Sequence, residues 1–261
     1  MNVVAAAGLS VSLSAFALWK KALTPGGVIL ACFLGILITA SGGVAAFSVL
    51  CATLLGTVAA DRAAGKRADP HGVRRKTGSR DGRRVFCNVG VAAIAMGIYL
   101  ISEDPLFKLA YYGVMAESLA DSVASKLGPL SRQEPRDILT GKPVPAGLSG
   151  GVTAAGTASE IAGAAVIAIL AGIGEMNWTA MIVVLLSGLA GAVADSVYGS
   201  AFQIKYICRK CGCVTEREEH CGFKTDPVSG FRFISNDTVN LLSNISAFVF
   251  AVLLSELLYG I

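Results

Sequence analysis

The chain has 261 residues, 54% of them hydrophobic and 15% charged, with 30 glycines and a mean hydropathy of +0.64. A water-soluble globule, a disordered chain, collagen and a secreted all-β fold are excluded, because Ala, Val, Leu and Ile interleaved with small residues make up closely packed transmembrane helices. The net charge of +4 says less than its distribution, since short polar segments separate long apolar runs and collect nearly all the charges.

Apolar length predicts helices at 2–19, 27–40, 43–60, 85–102, 107–125, 151–173, 178–202 and 237–259. The expected fold is all-α, a single integral membrane domain over 1–261 built as a polytopic bundle of about eight spans. The second segment is short for a full crossing, so a re-entrant or tilted segment there would leave seven. The first segment has no charged leader and no small-residue cleavage site and is read as a retained span. With eight spans, every one of the 22 Lys and Arg residues except Lys108 falls in the loops after helices 1, 3, 5 and 7. The excess of positive charge on the inner face then puts both termini outside and three polar loops, 61–84, 126–150 and 205–235, in the cytoplasm.

The first of these loops holds Arg74, Arg75, Lys76, Arg80, Arg83 and Arg84, interrupted by Gly78, Asp81 and Gly82. Such a run suits anionic lipid headgroups, and with glycines that bring backbone amides close to a ligand it also suits a polyphosphate. In the fifth helix Glu117 and Asp121 stand four apart, on one stripe with Ser118, Ser122 and Ser125. An ionised carboxylate at membrane depth costs about 2.5–3.5 kcal/mol on the insertion scale, which makes it a candidate for function. The next loop ends in Pro145, Ala146, Gly147, Leu148, Ser149, Gly150 and Gly151 and runs straight into the sixth helix, whose N-terminus favours an anion.

The sixth helix carries Thr153, Thr157 and Glu160 on one stripe, where Glu160 is a site residue or a partner for a neighbouring helix. The seventh carries Gly188, Gly191, Asp195 and Gly199 on one face, small residues that let a neighbour approach beside a carboxylate. Ala120, Asp121, Ser122 and Val123 recur there as Ala194, Asp195, Ser196 and Val197. The eighth opens with Asn236, Asp237 and Asn240, and Asp237 can bind a ligand or simply charge the first turn. A metal cation, a protonated state or a loop arginine are the partners open to Asp121 and Asp195.

The loop 205–235 holds Cys208, Cys211, Cys213, His220 and Cys221. On the reducing side of a membrane disulfides are not expected, and this spacing resembles a structural zinc site. The ligands would be Cys208, Cys211, Cys221 and one of Cys213 or His220; the adjacency of His220 and Cys221 argues against both serving one ion.

Four ordered blocks carry a resemblance: RRKTGSRDGRRVFCN from Arg74; ESLADSVASKLG from Glu117 with PRDILTG and GLSGGVTAAGTASE downstream; GAVADSVYGSAFQ; and HCG through ISNDTVN. From about Arg74 to Asn244 the chain resembles the integral-membrane family that includes transmembrane protein 19 and the plant phytyl-phosphate kinase, with Ser122 and Val123 where that family commonly has Thr and Trp. More loosely it resembles the CTP-using polyprenol kinases and CDP-diacylglycerol synthases.

The resemblance implies phosphoryl transfer from a nucleoside triphosphate, CTP above all, to an isoprenoid monophosphate held in the bilayer, on the cytoplasmic face. It assigns Mg²⁺ to Glu117, Asp121 and Asp195, with Asp237 and Asn240 in support. Phosphates fall to Arg74, Arg75, Lys76, Arg80 and Arg83, and to the backbone amides of the loop from Gly147 through Ser149 and Gly150 to Gly151. The expected partners are the nucleotide, the prenyl phosphate and membrane lipid, with no nucleic acid; the oligomeric state is open. A lipid cytidylyltransferase or polyprenol kinase is the nearest alternative and a transporter the next.

Overall fold

The computed structural model of the protein describes residues 3–65, 69, 72, 73 and 79–259. Among the described residues there are seven α-helices: α1 (Val3–Trp19), α2 (Pro25–Ala64), α3 (Gly82–Ser102), α4 (Pro105–Leu127), α5 (Ala154–Glu175), α6 (Trp178–Ala201) and α7 (Asn236–Tyr259). Of these, α2, α3, α5, α6 and α7 are long and apolar enough to cross a membrane, and α1 is apolar but shorter.

The helices begin where a side-chain oxygen can accept an otherwise unpaired amide. Thr24, Asp81, Asp104, Thr153 and Asn177 cap α2 to α6 in this way, and Pro25 and Pro105 follow two of the caps. Asp81, which stands within the basic run and is expected among the substrate- and nucleotide-binding residues, is engaged as such a cap, its Oδ1 accepting from Arg84 N at 3.0 Å.

The segments expected at 27–40 and 43–60 lie in one 40-residue element, α2, which breaks at Gly43 (φ 66°, ψ −152°), a conformation open essentially to glycine alone. The chain doubles back there. Before the break Gly27 lies against the Arg80 backbone, Gly35 against Ser10 and Gly42 against Met96; after it Ala45 meets Gly174, Gly56 meets Leu119, and Asp61 pairs with Lys126 Nζ at 2.7 Å. The two arms of α2 are thus an antiparallel hairpin whose open end lies beside the start of α3 and whose tip lies beside the end of α5.

At the heart of the bundle is α4, which touches α2, α3, α5, α6 and α7. Its Tyr111, Tyr112, Met115, Glu117 and Leu119 are fully buried. Close helix approach rests on missing side chains, since lipid tails give apolar surfaces no reason to prefer each other and packing must supply the attraction. A Cβ on Gly188 would sit 2.6 Å from Ala116 Cβ, and one on Gly163 2.9 Å from Ala120 Cα. Outward faces carry exposed Ile29, Phe33, Ile101, Ile173 and Leu257, the pattern of a lipid-facing surface.

Two small antiparallel sheets qualify the all-α expectation. Strands β1 (Arg136–Asp137) and β2 (Gly151–Val152) pair with each other, so α5 starts three residues later than the expected 151. Between α6 and α7 the chain forms β3 (Lys205–Cys208), β4 (Val214–Thr215), β5 (Glu219–His220) and β6 (Phe223–Ser229), ordered β4-β3-β6-β5. Both sheets gather, with Asp61 near the end of α2, at the end of the bundle where α4 and α6 finish and α3, α5 and α7 begin.

Candidate active site

A cavity of about 1120 Å³ opens at that end. Asp121, Ser122 and Ser125 reach it from the last turns of α4, and Asp195 and Ser196 from the last turns of α6. Thr153, Thr157 and Glu160 line it from the start of α5, and Asn236, Asp237 and Asn240 from the start of α7. The two ADSV segments therefore stand at one level on two parallel helices, facing one space.

The carboxylates differ in their partners. Asp195 Oδ1 is buried and accepts no hydrogen bond among the described residues. Glu117, one turn deeper on α4, does not line the cavity; its Oε1 accepts from Ser243 Oγ at 2.6 Å and its Oε2 from Ser118 Oγ at 3.3 Å. Below the cavity floor a polar network continues, with Ser118 Oγ also 3.1 Å from Asn244 Oδ1 and Asn244 Nδ2 donating to Cys87 O at 2.9 Å. Glu117 is thus satisfied by hydroxyls, whereas Asp195 keeps an oxygen that needs a cation or a donor. Hard oxygen donors in this number fit Mg²⁺, which takes one or two carboxylates and completes its shell with water and phosphate.

The cationic wall comes from α3 and the residue before its cap. Arg80 is fixed through its backbone, Arg80 N donating to Ala22 O at 2.8 Å and Arg80 O accepting from Thr24 N at 3.0 Å. Arg80 lines the cavity, and its guanidinium makes no ion pair among the described residues. Burial lowers its hold on its proton, with the charges of Asp61 and then Asp121 opposing and Arg84 adding to the effect. Arg84, one turn on, also faces the cavity and stands 3.4 Å from Asp237 Oδ1, while Arg83 points outward with its side chain 66% exposed. The expectation for Arg83 thus passes to Arg84. Arg74, Arg75 and Lys76 lie outside the described residues.

Opposite, the segment Gly147–Thr153 forms a rigid wall rather than an open nest of donors. Ser149 N and Ser149 Oγ both donate to Glu216 Oε1, at 2.9 and 2.6 Å, and Gly151 N donates to Leu148 O at 3.1 Å. Two of the amides expected to hold phosphate are therefore engaged within the protein. Gly150 (φ 85°) allows its backbone to lie against α6, where a Cβ would sit 2.6 Å from Ser200 Cα. Asp137 locks this arrangement, accepting from Ser200 Oγ at 2.6 Å and from the Thr140 amide at 2.9 Å. Burial pushes its carboxyl up, but these bonds outweigh it and hold Asp137 below the usual carboxylate range.

Asp61, Asn88, Glu216 and Arg217 also line the cavity, and sequence reasoning did not assign them to it; Arg84 enters the sequence reading only as part of the basic run. Arg84 and Asn88 carried a signal, being four apart on α3 and hence on one face. Glu216 and Arg217 carried none, since they follow β4 in the connection between α6 and α7 and reach the cavity only through the fold. In that sheet Cys208, Cys211, His220 and Cys221 converge. Cys213 does not join them; its Sγ lies 3.4 Å from Val214 O.

A second, apolar cavity of about 120 Å³ lies between α1, the arms of α2 and α3, lined by Leu13, Ala17, Leu50 and Val85 among others. It shares Leu54, Arg80, Arg84 and Asn88 with the polar cavity. The two spaces therefore meet along one cationic edge.

The family model described as "Integral membrane protein DUF92" matches residues 8–248. Among similar proteins, an uncharacterized membrane protein of Synechocystis sp. is 28% identical over 192 residues, covering 72% of this chain and 74% of its own. Protein PGR of Arabidopsis thaliana is 28% identical over 195 residues, covering 65% of this chain and 67% of its own. An uncharacterized membrane protein of Methanocaldococcus jannaschii is 31% identical over 128 residues, 48% of this chain and 52% of its own. No solved structure matches. Carboxylates on helices, an apolar exterior and a family match over nearly the whole length lead to one conclusion: this chain belongs to the DUF92 family of integral membrane proteins.

Proposed function

We propose that the protein is a membrane-embedded kinase that transfers a phosphoryl group from a nucleoside triphosphate, CTP in our reading, to an isoprenoid monophosphate. The observation that carries this reading is the meeting of a polar cavity, walled by Asp121, Asp195 and Arg80, with an apolar one through Arg80, Arg84 and Asn88. A lipid phosphate needs such a pair of spaces, one for charge and one for tail. The resemblance to the family of transmembrane protein 19 and phytyl-phosphate kinase supports the same substrate class.

In this reading α1, both arms of α2 and α3 to α7 cross the bilayer, eight crossings with both termini outside and the cavity on the cytoplasmic side. The antiparallel course of the arms of α2 and the presence of Lys21, Arg80, Arg84, Lys126 and Arg217 around the cavity at one end support it.

The transfer forms a bond from an acceptor phosphate oxygen to the γ-phosphorus and breaks the bond from that phosphorus to the β-bridging oxygen, releasing the nucleoside diphosphate. A phosphate monoester has its second pKa near about 6, so the acceptor is a dianion at neutral pH and needs no general base. No histidine lines the cavity among the described residues. Catalysis then rests on positioning and charge. Bound Mg²⁺ supplies charge neutralisation on the donor phosphates, and Asp121 and Asp195 would hold it, with Glu160, Asp237 and Asn240 nearby in support. Glu117 holds Ser243 and Ser118 in place beneath them. Arg80 and Arg84 orient the phosphates at the junction of the two cavities.

Incubating detergent-purified protein with Mg²⁺, each nucleoside triphosphate in turn and farnesyl, geranylgeranyl or phytyl monophosphate is expected to yield the prenyl diphosphate and a nucleoside diphosphate, identified by mass spectrometry. Absence of turnover with every pair would refute the enzyme reading and favour transport.

A further inference from the structure

We propose that Cys208, Cys211, His220 and Cys221 bind one zinc ion, and that this ion clamps the sheet which braces the cavity wall. The inference is independent of which reaction the cavity performs.

Two tight turns bring the four side chains together. In the first, Gly212 (φ 69°) lets the chain fold back so that Gly212 N donates to Cys208 O at 2.9 Å and Cys208 N to Cys213 O at 3.0 Å. This places Cys211 beside Cys208, whose Sγ lies 3.6 Å from His220 O. In the second, His220 pairs with Phe223 across the two-residue turn Cys221–Gly222, and both turn residues have positive φ, 55° and 79°. Positive φ at both central positions is the hairpin turn matched to strand twist, and it normally recruits Asn, Asp or Gly. A cysteine there accepts backbone strain. The turn swings its Sγ to the same side as the His220 ring, so the adjacency of His220 and Cys221 is no obstacle.

The distances suit a tetrahedral shell. Cys211 Sγ lies 3.5 Å and Cys221 Sγ 3.3 Å from His220 Nδ1, and Cys221 Sγ lies 3.9 Å from Cys211 Sγ. All four donor atoms fall within 4.8 Å of one another. With Zn–S near 2.3 Å and Zn–N near 2.0–2.1 Å, the edges of a tetrahedral site are about 3.8 Å for S to S and about 3.5 Å for S to N. The cysteines are free thiols, and four protein ligands leave no open position, which makes the ion structural. Cys213, the fourth ligand open to the sequence reading, takes no part.

What the clamp secures follows from β4. Thr215 Oγ1 and Glu216 N both donate to Val73 O, at 2.7 and 2.9 Å, Glu216 holds Ser149, and Arg217 Nη2 pairs with Asp69 Oδ2 at 2.6 Å. Strands of two to seven residues have little stability alone, so a metal at the far end of this sheet would hold three cavity-lining segments in register.

The test is metal analysis of the full chain purified in detergent without chelator, alongside Cys211→Ser, Cys221→Ser and Cys213→Ser. About one zinc per wild-type chain is expected, retained in Cys213→Ser and lost in the other two. Chelation of the wild type should open 205–235 to protease, and added Zn²⁺ should close it again. Wild-type protein with no metal, with iron in place of zinc, or with zinc that Cys213→Ser also loses would overturn the proposal.

Discussion

Asp195→Asn is expected to lower turnover by about 10²–10³-fold while leaving the melting temperature of the purified protein nearly unchanged. The substitution keeps the shape of the side chain and so keeps its packing against neighbouring helices; it removes the charge alone. Asp195 Oδ1 has no hydrogen-bond partner among the described residues, so the substitution breaks no bond of the fold at that oxygen. A buried carboxylate oxygen left without a donor is costly, and retaining one makes sense where a bound cation completes it. The magnitude is that of removing one well-placed electrostatic contact from a transition state. Parallel thermal melts and initial rates would check it. Equal loss of stability and rate would mean that Asp195 serves the fold, and an unchanged rate would remove it from the site.

Arg80→Ala is expected to raise the concentration needed for half-maximal rate about 10- to 100-fold, for nucleotide, prenyl phosphate or both, whereas Arg83→Ala should change it less than about twofold. Hydrogen bonds to charged groups contribute about 1.5–3 kcal/mol, which sets the first range. The contrast follows from placement. Arg80 stands where the two cavities meet, with a guanidinium that pairs with no carboxylate among the described residues, and its loss leaves the backbone bonds to Ala22 and Thr24 intact. Arg83 is largely exposed and lies only 3.9 Å from Asp237 Oδ2, a contact of little energy in water. Arg80→Lys should restore part of the loss, since it keeps the charge but not the two-pronged contact with phosphate. Steady-state kinetics with each substrate varied separately would decide; similar effects at Arg80 and Arg83 would contradict the assignment.

The long helices and the carboxylates at their ends were legible because both signals are local. Hydropathy over twenty residues marks a span, and an acid inside one stands out at once. The helix phase was harder to read, since a step of one residue turns the face by about 100° and decides that Arg84 and not Arg83 meets the cavity. Likewise Glu117 shares a stripe with Asp121, yet one turn of depth places it among hydroxyls instead of at the cavity wall. The short strands between α6 and α7 carry no periodicity long enough to detect, so neither Glu216 at the cavity nor the turn that brings Cys221 beside His220 could be foreseen. The doubling back of α2 rested on a single residue: among Ser41, Gly42 and Gly43, only the backbone of Gly43 shows where the chain turns.

The measurement that tests the central claim most directly follows the label from CTP carrying radioactive phosphorus at the γ position or, separately, at the α position, with phytyl monophosphate as acceptor and purified protein in detergent. The account predicts that γ label enters the lipid, that α label leaves in CDP, and that both fall by about 10²–10³-fold in Asp195→Asn. Entry of α label into the lipid would make the protein a cytidylyltransferase, and no label in the lipid from either nucleotide would contradict the account.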